Sequence, residues 1–600
     1  MIVKISDYIA DFLADNGIQD VFTITGGGAM HLNDSLGHNK RLHCIYNHHE
    51  QACAIAAEGY CRLSGNLAAV CVTSGPGGTN ALTGVLGGWL DSIPMFVLSG
   101  QVKQETTIHA AEVKLRQLGD QEFNITDCVA PMTKYAKFLD DPKEVSYHLE
   151  KALYLCKADR GGPVWLDVPL DVQAAKVDTE EMVHFDPSEL EQVVPVYDHQ
   201  ITKQIIDKIK TAKRPVILAG TGIRLGKAYD EFLKVIEKLH IPVVTAWNAH
   251  DVLWNDHPLY CGRPGTIGTR GGNFVVQNSD LLISLGCRLN IRQISYSYKE
   301  FAKRAYKIIV DIDAAELQKP TIRPDLPVHA DVKDVLVSLL ESGFDNTSNA
   351  EQQKWLKWCR DIDARYPAVL PEYYDMKAPV NPYVFMDRLF RNLDENETII
   401  TGNGSACVIS FQAAYLKKGQ RLFTNSGCAT MGYGVPSAIG GNIATKGKRV
   451  ICLDGDGSIQ MNLQELQTIV HNKCDIHLFV LNNEGYHSMR QTQSNLFEGD
   501  LCGVSASNGV SFPDMEKIAY AYGIPYFKIT SLDDMEEVIV KSLELTGPVM
   551  CEVMLDKAQF FAPKLSSRVL PDGKIVSPEI DDLYPFLERA EYEANKKVEF

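Results

Sequence analysis

The chain has no Cys-x-x-Cys pair and no cysteine and histidine cluster at zinc spacing, although 15 cysteines are spread along its 600 residues. An odd, scattered set argues against a disulfide framework or a zinc site and points to buried thiols in a reducing compartment. No apolar run approaches the roughly eighteen residues that span a bilayer, so no membrane association is expected. Positive charge is in deficit: 59 Lys and Arg against 76 Asp and Glu leave a net charge of −17. A nucleic-acid footprint needs a cationic face, so the balance disfavours polyanion binding as the main task and leaves room for a small anion in a local pocket. Low-complexity tracts and short repeats are absent. Residues 1–6 lack the apolar stretch and cleavage site of a secretory signal, so a cytoplasmic location is expected.

What is present is 45% apolar and 22% charged, the make-up of a globular chain. The length implies about three to five domains. Apolar, β-branched runs alternate with helical spacing in three blocks, which predicts an α/β fold of three doubly wound parallel-sheet domains. Their expected bounds are 1–178, 195–345 and 375–555, with a C-terminal covering tail over 556–600. In the first block Ser6 is the expected helix N-cap and Gly17 its stop. Strands are read over 21–25, 44–46, 68–73 and 95–98, and a small-residue helix over about 50–62. Polar stretches near 178–200 and 342–354 read as linkers. The tail, dotted with Phe560, Phe561, Pro563, Pro571, Gly573 and Pro578, reads as irregular. The first and third blocks share a rhythm of strand, glycine turn and helix, which suggests a duplicated architecture.

The strongest single element is Asp454-Gly455-Asp456-Gly457-Ser458, directly after an apolar strand. The next strand, ending at Leu481, runs into Asn482-Asn483. A hard divalent cation such as Mg²⁺ takes oxygen ligands in an octahedron and shares them with substrate phosphates. Asp456 offers a charged oxygen, Asn483 a neutral amide oxygen and Gly485 a turn carbonyl. The flanking glycines let backbone approach a diphosphate. Both side chains fall at C-terminal strand ends, where open α/β sheets bind ligands. Alone, Gly-Asp-Gly is an ordinary turn; with Asn-Asn on the following strand, the pair resembles the signature of thiamine-diphosphate (ThDP) enzymes.

That resemblance requires a carboxylic acid against the aminopyrimidine of ThDP, because only the imino tautomer removes the thiazolium proton. Glu50, at a strand-to-helix junction, is the candidate, and Glu58 is an alternative carboxylate. An acid in a helix's first turn also serves as simple dipole compensation.

Further motifs widen the match. Ser74-Gly75-Pro76-Gly77-Gly78-Thr79-Asn80, Gly100-Gln101-Val102, Ala57-Glu58-Gly59-Tyr60 and Met431-Gly432-Tyr433-Gly434-Val435-Pro436 resemble the acetolactate synthase group over about 5–555. The resemblance implies that Pro76 and Asn80 join Glu50 at the cofactor, and that Asn403, Ala429 and Met431 border the pyrimidine. It puts Gly404, Ser405 and Ala406 along the diphosphate, with Gly455, Gly457 and Ser458 around the metal ligands. Gln121 is implied beside the reacting centre, and His31 stands near the pocket mouth. For the middle block it implies FAD, or ADP, or no ligand, with a bound nucleotide held by Gly220, Thr221, Gly222, Gly286, Arg288, Arg292, Asp311 and Ile312. The chain departs from the family at Arg263-Pro264-Gly265-Thr266, where a Met-His-Gly loop is usual. It also departs at Thr492, where tryptophan is usual, and at Asp120 and His48, where phenylalanine and arginine are usual.

The activity so implied is ThDP- and Mg²⁺-dependent decarboxylation of pyruvate or another 2-keto acid, with transfer of the two-carbon unit to a carbonyl acceptor. The acceptor is either pyruvate or a nucleotide-linked keto sugar, the latter suited to smaller, more polar pocket walls. A homodimer or homotetramer with active sites between subunits is implied. Two rival readings are a ThDP-dependent lyase or hydrolase of a ketone or diketone, and a nonenzymatic cofactor-binding regulator. Intact Glu50, Asp456 and Asn483 argue against the second.

Overall fold

Buried apolar runs form three all-parallel sheets in the computed structural model, which describes residues 1–497, 499–569, 572 and 575–598. Pro571 and Gly573 of the tail lie outside the described residues. The first sheet is ordered His43–Tyr46, Asp20–Thr23, Ala69–Val72, Phe96–Gln101, Val164–Pro169, Tyr135–Phe138. The third is ordered Arg421–Phe423, Thr398–Thr401, Val450–Gly455, Ile476–Asn482, Val549–Met554, Tyr526–Ile529. With the strands of each sheet numbered along the chain, both read 2-1-3-4-6-5. The shared rhythm of the two blocks is therefore a shared topology. The central sheet has five strands: Val243–Thr245, Pro215–Ala219, Leu281–Leu285, Tyr306–Asp311, Leu326–His329. Their inner residues are buried on both faces, which is why the strands read as continuous apolar runs.

The first unit is closed by an antiparallel pairing of Ile2–Lys4 with Lys176–Asp178. The first helix, Ile5–Asp15, starts earlier than expected. Ser6 is not its cap but a buried residue whose hydroxyl accepts from Ser35 Oγ at 2.8 Å. Gly17, at φ 76°, does end the helix region in the left-handed conformation. The tail forms a short hairpin, Arg568–Val569 with Ile575–Val576, and the helix Arg589–Asn595. It lies on the central unit, where Asn273 Nδ2 donates to the Ile580 carbonyl (2.8 Å) and Arg270 to the Leu583 carbonyl (2.9 Å). Among the described residues no helix is long and apolar enough to cross a membrane.

The first and third units share one hydrophobic core, built where helix Glu50–Ser64 packs on helix Gly434–Ala444. The approach is so close that a Cβ on Gly440 would come within 1.9 Å of the Ala56 carbonyl oxygen. Gly440→Ala is therefore expected to destabilise the fold by roughly 1–3 kcal/mol through overpacking, seen as a lower unfolding midpoint. An unchanged midpoint would contradict this packing.

Candidate active site

The sharp turn after strand Val450–Gly455 aims Asp456 across to the turn after strand Ile476–Asn482. Asp456 Oδ1 accepts from the Gly457 N–H at 2.9 Å and Oδ2 from the Gly485 N–H at 3.0 Å. Its carboxyl is 2% exposed. Burial pushes it up to about 7, against the pull of the Gly485 and Gly457 amides and of Arg490. Asn483 is buried too; its Nδ2 donates to Ser405 Oγ at 3.4 Å, while its Oδ1 has no hydrogen-bond partner. An orphaned amide oxygen beside a buried carboxylate, still raised by burial despite two backbone amides and Arg490, is a donor set that fits a hard cation. Among the described residues no three or more His, Cys, Asp or Glu side chains stand together as a metal cage. A cation here would thus take one carboxylate and neutral oxygens.

The adjoining loops converge on the same turn. The Gly432 N–H donates to Ser458 Oγ at 3.0 Å, and Asn462 Nδ2 donates to the Gly432 carbonyl at 2.8 Å. These bonds pin half-buried Met431 beside the Gly455–Ser458 loop. Asn403 Nδ2 donates to the carbonyl of Ala429, a residue held at φ 54°. Gly404, at φ 67°, turns the chain into helix Ser405–Ala413, which begins with Ser405 and Ala406. The structure thus brings together the third-unit candidates.

The first-unit candidates gather at C-terminal strand ends of their own sheet. Glu50 opens its helix after the N-cap His49. Asn80 Nδ2 donates to Glu50 Oε2 at 3.0 Å, and Glu50 is half-buried. Pro76 occupies the first turn of helix Pro76–Asp91. Gly75 (φ 60°) packs against Gln121, whose carbonyl would stand 2.6 Å from a Cβ there. Gln121 is exposed, at φ 58°. His31 sits half-buried in helix Met30–His38. Glu58, by contrast, is fully buried: it accepts from Arg62 Nε at 3.0 Å and from Tyr433 Oη at 2.5 Å. Arg62 also bonds Asp91 at 2.8 Å. Glu58 is committed to a buried ionic network between units, and Glu50 is the carboxylate left open to a ligand.

Two cavities flank these loops. One of about 370 Å³ is lined by Thr221, Gly222, Gly286, Arg288, Asp311 and Ile312, together with Arg160 of the first unit. Gly220 lies behind it, against the Gly286 carbonyl. Burial pushes Asp311 up to about 6, opposed by the Asp313 amide that it accepts. Arg292 does not join them. It lines a second cavity of about 550 Å³, with Asn403, Gly404 and Ala429, and stacks 4.9 Å from the Trp247 ring. Neither Glu50, Pro76, Asn80 nor Gln121 lines that second cavity in the single chain.

Sequence reading missed three residues. Glu465 accepts from Asn47 Nδ2 (3.0 Å) and the His48 N–H (2.9 Å), tying the segment before Glu50 to the one after Asp456. Arg490 donates to the carbonyls of Asn483 and Glu484, each at 3.1 Å, and so fixes the turn. Lys564 reaches the second cavity from the tail. No local pattern marks any of them.

Comparison with known proteins places residues 3–122 with the thiamine pyrophosphate enzyme N-terminal TPP binding domain. Residues 202–339 match the central domain and residues 402–553 the C-terminal TPP binding domain of the same enzymes. The chain is 31% identical over 586 residues to a probable acetolactate synthase large subunit of Methanococcus aeolicus, covering 94% of this chain and 93% of the relative. It is 29% identical over 562 residues to the acetolactate synthase isozyme 1 large subunit of Escherichia coli K12, covering 93% and 95%. It is 30% identical over 576 residues to the Lactococcus lactis large subunit, covering 95% and 96%.

Proposed function

Since this chain belongs to the thiamine pyrophosphate enzymes of the acetolactate synthase group, we propose that it decarboxylates pyruvate, or another 2-keto acid, and passes the two-carbon unit to a carbonyl acceptor. The acceptor is a second pyruvate or a nucleotide-linked keto sugar. The observation that carries this reading is the buried pairing of Asp456 with the orphaned Asn483 Oδ1 at the ends of adjacent strands.

Asp456, Asn483 Oδ1 and the Gly485 carbonyl would hold Mg²⁺, with the diphosphate along Gly404, Ser405 and Ala406 at a helix N-terminus suited to anions. Bound ThDP supplies an acidic carbon that adds to the keto group and a cationic ring that takes up the electrons released with CO₂. Asn80 occupies Glu50 Oε2, which leaves Oε1 to hold the proton shared with the aminopyrimidine nitrogen. Met431, clamped through Gly432, would give the cofactor an apolar support. Gln121 and His31 would face the reacting centre from the first unit. The site is then completed between subunits of a homodimer or homotetramer, the first unit of one chain meeting the third unit of another. The 370 Å³ central cavity would take the nucleotide part of FAD or ADP, with Arg288 at the phosphates and Asp311 at a ribose hydroxyl. No catalytic step depends on it.

The test is CO₂ release from pyruvate by purified protein with and without ThDP and Mg²⁺. Release that requires both, with a branched hydroxyketone as product, is the expected result. No release from any 2-keto acid would sink the reading.

A further inference from the structure

The second cavity is chemically unlike the rest of this acidic chain. Arg292 and Lys564 both line it, and among the described residues no aspartate or glutamate does. In a molecule of net charge −17, a wall with two cations and no acid is built for an anion. Much of the remaining lining carries hydroxyl or amide groups, among them Thr266, Ser488, Gln491 and Thr492.

Lys564 is delivered there by a segment tied down residue by residue. The Phe561 N–H donates to Gln491 Oε1 (3.3 Å), and the Ala562 N–H to Tyr383 Oη (2.8 Å). Gln412 Nε2 donates to the Pro563 carbonyl (2.6 Å). Lys564 itself exchanges two backbone bonds with Tyr584, at 2.9 and 2.8 Å, and the Leu565 N–H reaches the Thr266 carbonyl at 2.7 Å. The segment thereby bridges the third and central units, and its lysine is fixed at the cavity. Burial lowers the Lys564 ammonium from its ordinary value, and among the described residues no acid offsets that. A half-buried cation without a carboxylate partner is a costly arrangement that a bound anion would relieve.

We infer that Lys564, from the C-terminal tail, is a specificity residue that works with Arg292 to bind the anionic group of the acceptor. That group is the carboxylate of a keto acid or the diphosphate of a nucleotide-linked sugar. The inference rests on the carboligase reading and deepens it by assigning the charge of the second substrate.

The experiment uses the ThDP- and Mg²⁺-loaded enzyme with saturating pyruvate as donor. The acceptors are 2-ketobutyrate, a nucleoside-diphosphate-linked keto sugar, and uncharged acetaldehyde. Wild-type CO₂ release from pyruvate is measured first; its absence overturns the carboligase reading and this inference with it. Given release, Lys564→Met is expected to raise the ratio of charged-acceptor KM to acetaldehyde KM by about 10- to 100-fold. Lys564→Arg is expected to restore most of it. A rise confined to 2-ketobutyrate assigns the carboxylate, and one confined to the sugar assigns the diphosphate. An unchanged ratio overturns the inference. So does a higher ThDP requirement at unchanged ratio, because the lysine would then serve the cofactor. A purely structural role would raise both KM values together and leave the ratio fixed, which also overturns it.

Discussion

Glu50→Gln is expected to lower turnover by about 10²- to 10⁴-fold, the usual contribution of a positioned proton-transfer group, while ThDP still binds. Glutamine keeps the size of the side chain and an oxygen for Asn80, whose amide donates to Glu50 at 3.0 Å. It cannot hold an acidic proton on the other oxygen. The loss is therefore expected in kcat, with ThDP half-saturation little changed. Glu58 supplies the contrast. It is fully buried between Arg62 and Tyr433, where burial pushes its carboxyl up and Arg62 pulls it down. Removing it breaks a buried ion pair, leaving Arg62 to Asp91 and the Tyr433 hydroxyl without its acceptor, and is expected to cost on the order of 3–5 kcal/mol of stability. Steady-state kinetics with thermal melts separates the two. A Glu50→Gln enzyme with wild-type kcat would remove Glu50 from the mechanism.

Asp456→Ala is expected to abolish metal-dependent cofactor retention as well as activity, a loss of several kcal/mol in transition-state stabilisation. In the wild type, ThDP with Mg²⁺ is expected to raise the melting temperature, because a ligand that binds only the native state stabilises it by mass action. Chelation with EDTA is expected to reverse that rise. In the variant neither addition nor chelation is expected to move the melt. The cause is geometric: Asp456 accepts two amides, from Gly457 and Gly485, and so sets the turn that presents Asn483 Oδ1. A variant that melts higher with ThDP and Mg²⁺, as the wild type does, would place the metal elsewhere.

The third-unit site was legible in the sequence because its determinants are local. A glycine-flanked aspartate after one strand and an asparagine after the next must meet when neighbouring parallel strands pair, and Val450–Gly455 does pair with Ile476–Asn482. The three sheets were legible for the same reason, since buried parallel strands are unbroken apolar runs. Contacts between distant segments were not. Glu465 meets Asn47 across 418 positions, and nothing in either neighbourhood marks the other. Arg288 and Arg292 sit four residues apart, and the resemblance assigns both to one ligand. Leu289, at φ 49°, and the N-cap Asn290 redirect the chain between them, so each arginine faces a different cavity. Ser6 failed as a cap because tertiary burial, with Ser35 as partner, outweighed its local preference. Glu50 and Glu58 lie in one helix and were inseparable by pattern; only burial and partners distinguish them.

Central to the proposed function is that Glu50 of one chain and Asp456 of another serve the same cofactor. Mixing does the most direct test. Glu50→Gln and Asp456→Ala chains, each inactive alone, are co-expressed with different tags and the hybrid is isolated. A hybrid dimer holds one site with both native residues, so about half of wild-type activity per dimer is expected for an interface between identical subunits. A hybrid no more active than its inactive parents would contradict the account.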